Sequence, residues 1–146
     1  MRNLIGIGIV AVVLIVGFIF RDFLSGNAAE LDVGQCFDPP TTNVETVEDV
    51  QHHPCDQAHG GEVFFVGEST AGDDEPYPSD QELTTEVFGF CDPSFTSYTG
   101  MDSNTDPTWT YGYFIPTSDG WDDGDRGIIC YATRIDGATT TGSIKQ

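Results

Sequence analysis

The alternation of apolar and polar positions divides the chain into two unlike parts. Leu4–Phe20 is an unbroken apolar run without a charge, flanked by Arg2 on one side and Arg21-Asp22 on the other. As a helix it extends about 25 Å against a hydrocarbon core of about 30 Å, with Phe23 and Leu24 lengthening its greasy surface and Asn3 and Arg21 able to reach the interfaces. A run that is apolar on all sides at the very N-terminus does not fit a buried core helix. A cleaved signal peptide is the competing reading, but Arg21 and Asp22 interrupt it, and the nearest small-residue cleavage candidate, Asn27-Ala28-Ala29, lies well past Phe20. The expectation is an uncleaved N-terminal transmembrane helix over 1–24, a linker over 25–30, a folded domain over 31–135 and a flexible Thr- and Gly-rich tail over 136–146.

Beyond the linker the pattern turns to short strands. Leu31-Asp32-Val33-Gly34-Gln35-Cys36-Phe37 alternates as an opening strand and stops at Asp38-Pro39-Pro40. Val44, Val47 and Val50 fit neither period and are read as a bulged strand, whereas Glu62–Val66 is apolar enough to be a strand covered on both faces. Gly72–Pro78 is an acidic turn, after which Ser79 and Glu82 form a capping box ahead of Leu83, Val87, Phe90 and Cys91 at helical spacing. Asp92-Pro93 reads as a second N-cap with Pro at the first helical position, starting a separate short turn through Phe95 and Tyr98. Trp109, Tyr111, Tyr113 and Ile115 alternate in a strand ended by Pro116, and Ile128–Ile135 is the last strand. This order implies an α+β fold, a mainly antiparallel sheet with one or two short helices.

The cysteines add a compartment. Cys36, Cys55, Cys91 and Cys130 all follow the membrane run, and an even count in a small exported domain reads as a disulfide framework. Of the three possible pairings, the neighbour pairing Cys36–Cys55 and Cys91–Cys130 is the expected one, since it staples the opening hairpin to itself and the helix to the last strand. Together with Arg2 ahead of the run, this places the C-terminal domain on the extracytoplasmic side of a single-pass cell-membrane protein.

Charge narrows the partners. The chain has 5 basic and 24 acidic residues, a net charge of −19, and only Arg126 and Arg134 are basic within 31–135. Such a domain has no electrostatic footprint for nucleic acid or for an anionic lipid surface. Its acidity also fits a salt-rich habitat. Phe37, Phe64, Phe65, Phe88, Phe90, Trp109, Tyr111 and Trp121 supply core bulk, and each disulfide offsets self-repulsion by about 3–4 kcal/mol.

Candidate chemistry is sparse. His52, His53, Cys55 and His59 invite a metal reading, but a disulfide-bonded Cys55 has no thiolate to offer. The preferred role of His59 is to fix its turn through a backbone carbonyl or Glu62. Asp102, Asn104 and Asp106 begin a calcium-loop pattern that fails at Pro107 and Tyr113. Asp119, Asp122, Asp123 and Asp125 form an acidic cluster that Arg126 is expected to neutralise as a bidentate structural pair. Neither a Gly-x-Ser-x-Gly elbow nor a phosphate-binding glycine loop occurs. Hence no catalytic residue, metal or cofactor is assigned, and His59, Glu62, Trp121, Asp125 and Arg126 are carried as structural or binding residues. The strand Trp109-Tyr111-Tyr113 suits sheet core before sugar stacking.

Several strings read together. They are Val33-Gly34-Gln35-Cys36-Phe37-Asp38, then Pro54-Cys55-Asp56-Gln57-Ala58-His59-Gly60-Gly61-Glu62-Val63, Tyr77-Pro78 ahead of the helix carrying Cys91, and Trp121, Gly124-Asp125-Arg126 and Cys130. In this order and spacing the chain, over about Leu31 to Thr133, resembles the septum-formation-related domain, a small extracytoplasmic cysteine-containing module common in actinobacteria. One departure is Ala58 ahead of His59, where the family often has Pro. The resemblance implies a non-enzymatic interaction domain in the cell envelope, linked to septum formation or cell division, with an envelope protein or the wall as partner. The alternatives are an extracytoplasmic cation- or glycan-binding module and, behind it, a wall-acting hydrolase.

Overall fold

The computed structural model describes residues 26–41, 47 and 49–146. The expected membrane segment over 1–24 and Val44 of the expected bulged strand lie outside the described residues. Among the described residues no helix is long and apolar enough to cross a membrane.

The fold is α+β. Strands β1 (Gly26–Asn27), β2 (Cys36–Asp38), β3 (Asp49–His53), β4 (Gly61–Glu68), β5 (Trp109–Phe114) and β6 (Gly127–Arg134) form one antiparallel sheet in the order β1-β3-β2-β4-β6-β5. Helix α1 (Asp80–Thr99) lies across one face, and the short α2 (Ser118–Asp122) sits in the connection from β5 to β6. The register of β4 on β6 shifts between Val63 and Phe65. Phe64 is the extra residue of that shift, and the ordinary alternation of a strand sends Val63 and Phe64 to opposite faces. Phe64 joins Val87, Cys91, Phe95, Ile128 and Cys130 under the helix, while Val63 joins Ala28, Leu31, Phe37, Val50 and Ile129 on the other side. The apolar run in β4 is therefore a strand with core on both faces, as its composition implies.

Helix α1 begins where its local chemistry says. The Ser79 hydroxyl accepts from the Glu82 N–H while the Glu82 carboxylate accepts from the Ser79 N–H, so two otherwise orphan donors are satisfied. It ends at Gly100, whose φ of 70° lies in the left-handed region that favours glycine. It does not break at Asp92-Pro93, contrary to the sequence expectation. Pro93 sits inside one continuous helix, where it removes a single donor. The carbonyl left without that donor belongs to Gly89, which is exposed to water, and Pro93 is exposed beside it. Meanwhile Leu83, Val87, Cys91, Phe95 and Tyr98 hold one buried stripe through the proline. Burial of that stripe overrides the local signal.

Three further expectations change. The opening strand starts at Cys36 and not Leu31, because Gln35 N–H turns back to the Asp32 carbonyl and Gly34 adopts a φ of 90°. Residues 26–30, expected as linker, form β1 and a 3-10 turn capped by the Asn27 side chain, with Ala28 buried. Residues 136–146, expected as a loose tail, fold back over the sheet. Thr140 pairs with His59 through both backbone bonds, Gly142 N–H reaches the Cys55 carbonyl and Gln146 N–H reaches the Tyr98 carbonyl. Its composition conceals this because the partners that seat it, Cys55, His59 and Tyr98, are far away in the chain.

Candidate functional site

All four cysteines are paired as Cys36–Cys55 and Cys91–Cys130. The second bridge ties α1 to β6 in the middle of the helix-side core, with both cysteines fully buried. The first joins the start of β2 to the turn after β3, and Cys55 Sγ also contacts the Gly34 carbonyl at 3.4 Å.

Beneath that first bridge lies a buried carboxylate. Glu62 is 2% exposed, and its two oxygens take three donors, the Tyr98 hydroxyl at 2.7 Å, the Ser143 hydroxyl at 2.6 Å and the Ile144 N–H at 2.9 Å. A buried charge is tolerable only when its lone pairs are met in this way. The arrangement pushes Tyr98 well above the ordinary phenol value, first through burial and then through its bond to Glu62. Glu62 and the two sulfurs Cys36 Sγ and Cys55 Sγ lie within 4.8 Å of one another, but sulfurs joined in a disulfide carry no thiolate for a metal. His59, 1% exposed, has Nδ1 2.8 Å from the Gln57 carbonyl and fixes its turn through the backbone, not through Glu62. His53 is held by Asp38 at 2.8 Å and shares a cleft of about 330 Å³ with His52, Pro54 and the Cys36–Cys55 bridge.

The second gathering is built on Arg126. Its guanidinium stacks over the Trp121 ring at 3.7 Å and donates to the carbonyls of Trp121, Asp125 and Asp73 at 2.8, 2.8 and 3.0 Å. The expected bidentate pair with the acidic cluster is not formed. The Trp121 carbonyl lies in the last turn of α2, at the end of the helix that favours a cation, and it also accepts from the Gly124 N–H. Asp125 instead turns its carboxylate to the Gly127 N–H at 2.9 Å. Trp121 donates from Nε1 to the Glu75 carbonyl at 2.8 Å and meets Tyr77 edge-on at 5.7 Å. Arg126 and Trp121 thus hold both ends of the acidic turn 72–78 against the domain. Asp102 and Asp106 likewise spend their carboxylates on backbone N–H groups of Asn104, Thr108 and Trp109.

That pinned turn forms one wall of an open groove of about 780 Å³ whose other wall is the first turns of α1. It is lined by Thr70, Glu75, Tyr77, Pro78, Gln81 and Glu86, among others. Burial works to raise the Glu86 carboxyl, but the Thr70 N–H, the Thr70 hydroxyl and the Ser69 hydroxyl outweigh it and hold the group below the usual glutamate value. The groove therefore presents negative charge beside prolines and a tyrosine. No local signal marked Glu86 or Ser69, because their contact depends on how the 69–78 loop packs on α1.

A family model described as septum formation matches residues 33–146. No curated protein matches the chain, and no solved structure does.

Proposed function

Because the chain belongs to the septum formation family, we propose that it acts as an extracytoplasmic interaction domain of the cell envelope, anchored by residues 1–24 and engaged in septum formation. The observation that supports this reading most is that all four cysteines are spent in two disulfides, one of them the centre of the core. Such pairs persist where thiols oxidise. A non-enzymatic role is supported by how the polar residues are employed. Glu62 and Arg126 are buried and bonded to the protein's own hydroxyls, N–H groups and carbonyls, and His59 is buried with its ring held by the Gln57 carbonyl.

The sequence contains a single lysine, Lys145, which is exposed. A membrane-impermeant amine reagent applied to intact cells is expected to modify Lys145 as fully as in lysed cells, read by mass spectrometry of the C-terminal peptide. Labelling that requires lysis overturns the placement. Imaging the full chain with a tag ahead of residue 1 tests the septal role: enrichment at the division site supports it, and an even distribution around the cell argues against it.

A further inference from the structure

Strand β5 is the outermost strand at one end of the sheet, and among the described residues it pairs with β6 alone. Its ladder phase follows from the bond between Ile135 N–H and the Thr108 carbonyl. Alternation then turns the N–H and C=O of Thr110, Gly112 and Phe114 toward β6 and those of Trp109, Tyr111 and Tyr113 outward. Asp106 takes up the Trp109 N–H at 2.8 Å. Among the described residues no side chain or loop takes up the outward N–H of Tyr111 or Tyr113. Exposed edges are usually blunted by proline, charge or a bulge. Trp109–Phe114 contains no proline and no charge, and its register on β6 is regular.

Above this edge stands an aromatic ledge. Phe88, 45% exposed, leans edge-on from α1 over Tyr111 and Tyr113, with centroids at 6.5 and 6.4 Å, and Tyr113 is itself 37% exposed. The surroundings are acidic: Asp92 accepts from the Tyr111 hydroxyl at 2.6 Å, Asp102 and Asp106 precede the strand, and Arg134, opposite Trp109 on β6, is engaged by Asp136 at 2.6 Å.

The geometry points to β5 as a docking edge that takes an extended, cationic segment of another protein as a seventh, added strand. Backbone pairing to Tyr111 and Tyr113 supplies register, alternate apolar side chains pack on Phe88 and Tyr113, and basic residues match the field of a chain carrying −19. The same charge opposes a second copy on this edge. The proposal deepens the reading of the chain as an interaction domain and rests on it.

The test uses the full-length chain in detergent micelles and a short synthetic peptide alternating lysine with valine, followed by fluorescence anisotropy and by hydrogen exchange at individual amides. Binding is expected with new protection at Tyr111 and Tyr113. The same peptide N-methylated at every residue keeps its charge and loses the ladder, so it is expected to bind at least about tenfold more weakly. Tyr113→Pro removes an outward N–H and spares the β6 ladder, so it is expected to weaken binding similarly with little change in Tm. The methylated peptide keeps the test open even where that variant folds poorly. Equal binding of both peptides overturns the proposal, as does binding without protection at Tyr111 and Tyr113. So does protection of these amides by self-association, or by wall glycan fragments in place of the peptide. Failure here with Lys145 labelled from outside removes the docking edge and leaves the envelope placement standing.

Discussion

The Tyr98 hydroxyl donates to the Glu62 carboxylate at 2.7 Å, joining helix α1 to strand β4 beneath the first disulfide. Ser143 and Ile144 donate to the same carboxylate from the C-terminal segment. One buried side chain thus fastens the helix, the sheet and the last residues of the chain. Replacing Glu62 by Ala leaves three donors without an acceptor, and a loss of about 2–4 kcal/mol is expected in urea unfolding. Glu62→Gln, which retains one acceptor oxygen, is expected to lose less. Faster amide exchange at Gly142, Ile144 and Gln146 in Glu62→Ala would trace the loss to the C-terminal segment, and unchanged exchange there would refute the fastening role.

The same contact predicts a dependence on alkaline pH. Tyr98 and Tyr111 are raised well above 10.0, first by burial and then by their bonds to Glu62 and Asp92. A phenol whose folded pKa is raised contributes stability that is complete below about pH 10 and is lost as the pH climbs toward the folded value. Tm is therefore expected to stay level into mildly alkaline buffer and then fall. In the double variant Tyr98→Phe/Tyr111→Phe that fall should be shallower, with Tyr77 and Tyr131, both also raised by burial, leaving a residual slope. An unchanged slope in the double variant would contradict the assignment.

The disulfides should differ in weight. Cys91 and Cys130 are 39 residues apart and Cys36 and Cys55 are 19 apart. Loop entropy alone assigns about 4 kcal/mol to the first pair and about 3 kcal/mol to the second. Cys91→Ala/Cys130→Ala also leaves a gap among Phe64, Val87, Phe95 and Ile128. Urea unfolding of the two double-alanine variants is expected to show the larger loss for the helix bridge, and the reverse order would overturn this ranking.

Arg126 tests the pinned turn. Arg126→Lys cannot reach the carbonyls of Trp121, Asp125 and Asp73 together while stacking on the indole. A loss of about 2–3 kcal/mol is expected, with altered near-ultraviolet circular dichroism as the Trp121 environment loosens. Full retention of stability in Arg126→Lys would show that charge alone suffices.

Several of these relationships were legible before any fold was known. The Ser79–Glu82 box was readable because both partners lie within one turn, and the apolar run in β4 announced two covered faces. Cys36–Cys55 and Cys91–Cys130 followed from pairing neighbours around an opening hairpin and a helix. Pro93 misled, since a local rule was applied where the stripe from Leu83 to Tyr98 had a whole sheet to bury against. Arg126 misled as well: sequence proximity to four aspartates suggested a carboxylate partner, and the chain path offered carbonyls instead.

What the sequence determined by itself is whatever depends on near neighbours: strand and helix periods, the cap, the turns, the acidic balance and the oxidised thiols. Tertiary structure alone decided the seating of residues 136–146 on Glu62, the grip of Arg126 on the 72–78 turn and, among the described residues, the unpaired outer edge of β5. Each of these joins, or fails to join, groups separated by tens of residues, where the folded path of the backbone sets the distance and local propensity carries no information about it.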